Sequence, residues 1–171
     1  MKRTSMAILP ILAFVFLTYG CTLKYKPKPV EIEAYKIPNL TANQPIAFVN
    51  VQRAGQVLDL RVSPYKVKVD LHGYTDTVID LIVDAVKKKK VIISDTSDKA
   101  VKIAVIDVGV ITRATVFKCD ISYTVEAEEI QRYGGEASGE SWNFQKAIDI
   151  AVTETAVQIL NDPRFTDYLQ Q

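Results

Sequence analysis

Apolar and polar side chains alternate most regularly between Phe117 and Glu129. Phe117, Cys119, Ile121, Tyr123, Val125 and Ala127 fall on one side, and Lys118, Asp120, Ser122, Thr124, Glu126 and Glu128 on the other. A period of two assigns the two sets to opposite faces of a strand, one against a core and one against water, as in an antiparallel sheet covered on one side. Two other stretches repeat at helical spacing. In Thr75 to Lys90, Val78, Leu81, Ile82 and Ala85 recur at that spacing, with Asp76 in the first turn and Lys87 to Lys90 in the last, where the helix dipole favours each sign. In Phe144 to Leu160 the stripe is Phe144, Ala147, Ile148, Ala151, Val152, Thr155 and Ile159; Asn143 is a suitable N-cap and Asn161-Asp162-Pro163 a stop.

Shorter β-prone runs fill the remainder. Ile46 to Val51 and Gln56 to Val62, separated by Arg53-Ala54-Gly55, predict a hairpin. Beyond Ser63-Pro64, Lys66 to Asp70 predicts a short strand or edge; Val91 to Ile93 predicts a strand, and Val101 to Val108 a central strand with both faces partly covered. Gly134-Gly135 is the expected turn into Glu136 to Trp142, and Phe165 to Leu169 a last turn packing back. This order predicts a single α+β domain over residues 44–171, a mainly antiparallel sheet with two helices covering one face. The bare face is the expected place for a partner.

The first 21 residues follow a different logic. Lys2 and Arg3 precede an apolar run from Met6 to Leu17, and Gly20 stands before Cys21. This is the layout of a secretory signal peptide over 1–20, its apolar part shorter than the roughly 20 residues a spanning helix needs. Leu17-Thr18-Tyr19-Gly20-Cys21 resembles the lipobox of bacterial lipoproteins. Gly20 and Cys21 match that pattern, whereas Thr18 and Tyr19 stand where it has an aliphatic and a small residue. The resemblance implies cleavage between Gly20 and Cys21 and acylation of Cys21, palmitate included; the alternative is an ordinary signal peptide that contains a cysteine. From 21 to 43, Pro27, Pro29 and Pro38 with Lys24, Lys26 and Lys28 predict an extended tether behind the lipidated terminus.

Composition narrows the function classes. A chain starting at Cys21 has 151 residues, enough for one core, and carries 19 Lys+Arg against 20 Asp+Glu. That balance supplies no overall field for nucleic acid or anionic lipid, so no nucleic-acid partner is expected. Acylation of Cys21 would leave Cys119 with no partner for a disulfide.

Candidate chemistry is sparse. His72 is the sole histidine and sits at a strand-to-helix turn, too little for a triad or a His-rich metal set. Cys119 lies on the apolar side of its strand, where burial raises the thiol pKa and blunts its reactivity. Asp76, Asp80 and Asp84 stack along one helix face, but calcium needs six to eight converging oxygens; Asp84 is also placed to pair with Lys88. No GxxxxGK[ST], GxGxxG, CxxC or HExxH motif is present. Trp142 is expected to pack at a strand end. Neither metal nor cofactor is expected, and no enzymatic activity.

As an order of elements over residues 44 to 170, the chain resembles the small α+β lipoproteins of the bacterial envelope, in particular the YajG-like group. Accessory lipoproteins of envelope machines are related in layout. The resemblance implies a non-catalytic protein-binding or accessory module anchored through lipid on Cys21, with its envelope protein partner unspecified. Thr22, in place of an aspartate after the acylated cysteine, resembles the signal that sorts lipoproteins to the outer membrane, facing the periplasm; the inner membrane remains the other location. A shuttle for lipid or another small apolar ligand is the second reading, and an enzyme using His72 the third.

Overall fold

Cys119, Ile121, Tyr123, Val125 and Ala127 are all buried along one extended strand, and the residues between them stay at least partly exposed. The computed structural model describes residues 22–63, 65–127 and 130–171. In chain order these form β1 (Thr22–Lys24), a 3-10 turn (Ala34–Lys36), β2 (Ala47–Asn50), β3 (Val57–Val62), β4 (Tyr65–Asp70) and α1 (Leu71–Lys88). There follow β5 (Ala100–Arg113), β6 (Val116–Ala127), β7 (Ile130–Ser141), α2 (Phe144–Asn161) and α3 (Pro163–Gln170).

The class is α+β, with two mixed sheets where one mainly antiparallel sheet was expected. The larger runs β2-β5-β6-β7 and the smaller β1-β4-β3; β2 lies parallel to β5 and β1 parallel to β4. The hairpin expected between Ile46 and Val62 does not form. Phe48 pairs with Val101 in the larger sheet, whereas Leu60 pairs with Val67 in the smaller. Matching of half-buried faces decides this pairing, and the turn residues between the two runs do not. Lys66 to Asp70 becomes the middle strand of its sheet, while Val91 to Ile93 contributes only a single parallel bridge, Ile46 to Ile93.

Helix α1 packs on β5, α2 on β6 and β7, and the helices on each other. The first helix starts at Leu71, directly after β4 and four residues before the expected Thr75. Thr75 is buried: its hydroxyl donates to Leu71 O at 2.9 Å and accepts from Val105 N–H at 2.9 Å, beside the bulge between Val105 and Asp107. The helix ends in a Schellman motif, with Lys90 N–H bonded to Lys87 O, Val91 N–H to Val86 O, and Lys90 at φ 64°. Asn143 caps α2 as expected, accepting from Gln145 and Lys146 N–H at 2.8 and 3.2 Å.

Gly134 and Gly135 lie inside β7, opposite Thr124 and Tyr123, and are not turn residues. A Cβ on Gly135 would stand 2.5 Å from Tyr123 Oη, and one on Gly139 would stand 2.3 Å from Ala147 O, so the glycines let a tyrosine ring and helix α2 lie against the strand.

Residues 22–43, read from their prolines as an extended tether, are extended but packed. After β1 they run as a belt over the domain, with Ile32, Ile37 and Leu40 each 4% exposed and joined to the single hydrophobic core. Tyr25 Oη donates to Asp149 Oδ1 at 2.7 Å, Asn161 Nδ2 to Lys36 O at 3.0 Å, and Lys36 Nζ lies 3.6 Å from Glu154. Apolar residues spaced among the prolines make the segment adhere.

Candidate functional site

Of the residues singled out by sequence, Gly20 and Cys21 lie outside the described residues. His72 is in the first turn of α1, its Nδ1 donating to Gln52 O at 2.8 Å and its Nε2 3.6 Å from Asp76 Oδ2. Asn50 Nδ2 donates to Asp76 Oδ1 at 2.6 Å and to His72 O at 3.1 Å. These bonds fasten the start of α1 to β2 and bring one carboxylate to the ring, not the two that an acid–base pair of carboxylates around it would need. Asp80 and Asp84 point to solvent. Lys88 pairs with Glu31 of the belt and not with Asp84. No group of three or more His, Cys, Asp or Glu able to hold a metal ion occurs among the described residues.

Cys119 is fully buried, and desolvation followed by the nearby Asp120 charge pushes its thiol up to about 12. It packs with the core, as its place in the alternation predicts. The bare face of the larger sheet is polar: Lys118 lies 2.6 Å from Asp120, Ser138 Oγ donates to Asp120 Oδ1 at 2.5 Å, and Lys102 lies 3.4 Å from Glu126. Val49, Ile106 and Ile111 are exposed apolar residues on the strands of the same sheet.

The more distinctive surface is at the small sheet. Its inner face, with Leu58, Leu60, Val62, Val67 and Val69, packs on the core. Register places Thr22, Lys66 and Arg61 side by side on the outer face, then Lys24, Lys68 and Asp59. One open groove of about 530 Å³ runs from Lys24, Tyr25 and Pro27 to Val57, Lys68 and Tyr74. A second, of about 640 Å³, continues from Lys24 and Lys26 past Val30 to Trp142 and Lys146. Trp142, expected to pack, is 75% exposed. Behind it Phe144 gathers Tyr25, Tyr65 and Phe117 at centroid distances of 6.4, 6.1 and 6.1 Å, joining belt, small sheet and large sheet. The phenol pKa of Tyr74 is raised by burial, and its buried hydroxyl has no hydrogen-bond partner among the described residues.

Alternation in Lys66 to Asp70 identified a strand, but its alignment with Lys24 and Arg61 depends on pairings distant in sequence. Sequence therefore offered the separate lysines and no signal that they share a face.

No family model matches the chain, and no curated protein matches its sequence. No helix among the described residues is long and apolar enough to cross a membrane.

Proposed function

We propose that this chain is a lipoprotein of the bacterial cell envelope, acylated at Cys21 after cleavage behind Gly20, whose α+β domain is a non-catalytic accessory or protein-binding module. The carrying observation is the leader itself: Lys2 and Arg3, then the apolar run Met6 to Leu17, then Gly20-Cys21. The resemblance to small envelope lipoproteins agrees with it, and Thr22 after the cysteine supports the outer membrane as the destination.

The test is labelling with radioactive palmitate in the native host. Wild type is expected to incorporate label and fractionate with membranes, and Cys21→Ser to do neither; label retained by Cys21→Ser, or absent from wild type, would overturn the anchoring. Partner capture by crosslinking from the wild-type membranes then tests the accessory role.

One observation favours the second reading, a site for a small apolar ligand: Tyr74, whose buried hydroxyl has no hydrogen-bond partner among the described residues, borders the groove of about 530 Å³ that also holds Val57 and Pro27. Lipid extracted from the purified protein in a fixed ratio, and lost in Tyr74→Phe, would support it.

A further inference from the structure

The near-neutral total conceals an uneven distribution of charge. Thr22, Lys24, Arg61, Lys66 and Lys68 all stand exposed on the outer face of β1-β4-β3, and Lys26 and Lys146 border the adjoining groove. Two of the cross-strand neighbours are like-charged, Lys24 beside Lys68 and Lys66 beside Arg61. Like charges directly opposite each other destabilise a sheet. No ion pair among the described residues engages Lys24, Lys26, Arg61, Lys66, Lys68 or Lys146; Asp59 and Asp70 are the acids on the face. The face thus keeps a repulsion that folding alone does not require.

Two further features point to what would relieve it. Trp142, the sole tryptophan, is largely exposed at the edge of this surface, and Tyr65 is exposed beside Phe144. Tryptophan and tyrosine favour the boundary between lipid and water, where ring and polar edge are both accommodated. Thr22, at the start of the small sheet, is joined directly to Cys21, so an acylated chain would hold the sheet about one residue from the lipid.

We infer that the outer face of β1-β4-β3, with Trp142 at its border, docks on an anionic bilayer surface, so that the domain lies down on the membrane that anchors it. This deepens the lipoprotein reading and rests on it for the geometry of approach. An anionic leaflet supplies a plane of phosphates, and a flat sheet face can set several cations within one screening length, about 8 Å, of that plane. Each such residue strengthens docking by roughly fivefold. A nucleic acid or an acidic protein would satisfy the charges but would not account for Trp142 and the adjoining anchor together.

The test uses the full chain as isolated from expressing cells, mixed with vesicles of phosphatidylcholine alone or with added phosphatidylglycerol. Intact mass reports acylation independently. Because Trp142 is the sole tryptophan, its emission reports docking whether the chain is anchored or added from solution. On anionic vesicles the emission is expected to move to shorter wavelength and to be quenched by brominated lipid chains; neutral vesicles or high salt should abolish both effects.

The double variant Lys24→Glu/Lys66→Glu places a glutamate beside Lys68 and another beside Arg61. It should fold at least as stably as wild type while docking about 25-fold less or weaker still. Equal emission on both kinds of vesicle, or a double variant that docks like wild type, overturns the inference even if the mass shows acyl chains. A shift produced by an oligonucleotide and not by vesicles overturns it too. A chain lacking acyl groups whose Trp142 still responds to anionic vesicles removes the anchor and keeps the docking.

Discussion

The Tyr25 hydroxyl reaches Asp149 Oδ1 at 2.7 Å across 124 positions of sequence, and the same carboxylate oxygen accepts the backbone N–H of Lys28 at 2.7 Å. One carboxylate on α2 therefore holds the belt at two points. Burial, followed by the bond to Asp149 and its charge, pushes the phenol above its ordinary pKa, so the tyrosine remains a donor at neutral pH.

Asp149→Ala removes both hydrogen bonds at once. It is expected to lower stability by about 1–3 kcal/mol, read by denaturant unfolding, and to open residues 26–43 to limited proteolysis while the larger sheet stays resistant. Tyr25→Phe leaves the Lys28 bond and should cost about 1 kcal/mol. Unchanged proteolysis of both variants would mean that the belt is held without the Asp149 bonds.

Thr75 links α1 to the bulge in β5 by accepting Val105 N–H at 2.9 Å. Thr75→Val keeps the shape and leaves that buried N–H without its acceptor, a loss of about 1–3 kcal/mol. Thr75→Ser, which keeps the hydroxyl, should recover much of it. Hydrogen exchange at Val105 is the direct measurement, faster in the valine variant and near wild type in the serine variant.

Cys119 is buried, with its thiol pushed up to about 12. The folded protein should leave Cys119 unlabelled by iodoacetamide at pH 8, conditions that modify free surface thiols within minutes. In denaturant a chain acylated on the Cys21 sulfur should titrate one thiol and an unmodified chain two, since the sequence holds two cysteines. The count tests packing and acylation separately.

Asp162 caps α3 through Arg164 N–H at 2.9 Å and pairs with the Arg164 guanidinium at 2.7 Å. The Arg164 side chain, chiefly, holds its pKa below the ordinary 3.8, against a smaller opposing effect of burial. A depressed carboxylate contributes stability that is fully present above its unfolded pKa and is lost as pH falls through the folded one. Wild type should therefore lose thermal stability below about pH 4 more steeply than Asp162→Asn, whose amide oxygen still accepts the capping bond but does not titrate. Parallel melting curves from pH 6 to 2.5 for the two chains would count against this account.

Features governed by near neighbours were legible in the sequence. The face of β6, the cap at Asn143, the stop at Asp162-Pro163 and the burial of Cys119 each depend on residues within a few positions. Pairing across long separations was less accessible. Ile46 to Val51 and Gln56 to Val62 look like hairpin partners because they are adjacent, but their half-buried faces are matched by β5 and β4. Gly134-Gly135 resembles a turn until Tyr123 is seen lying across it. The signals in residues 22–43 were mixed: proline made them extended, and Ile32, Ile37 and Leu40 gave them a reason to adhere. The shared outer face of Lys24, Lys66 and Lys68 emerges only once a parallel strand joins the small sheet.

Because the belt precedes in sequence every surface it rests on, it cannot close when it is synthesised. Tyr25 waits for Asp149, and Lys36 O for Asn161, so a stretch synthesised before its partners is among the last to find its place. Until α2 is complete, residues 25–36 lack the partners that latch them; afterwards they are held down against the helix.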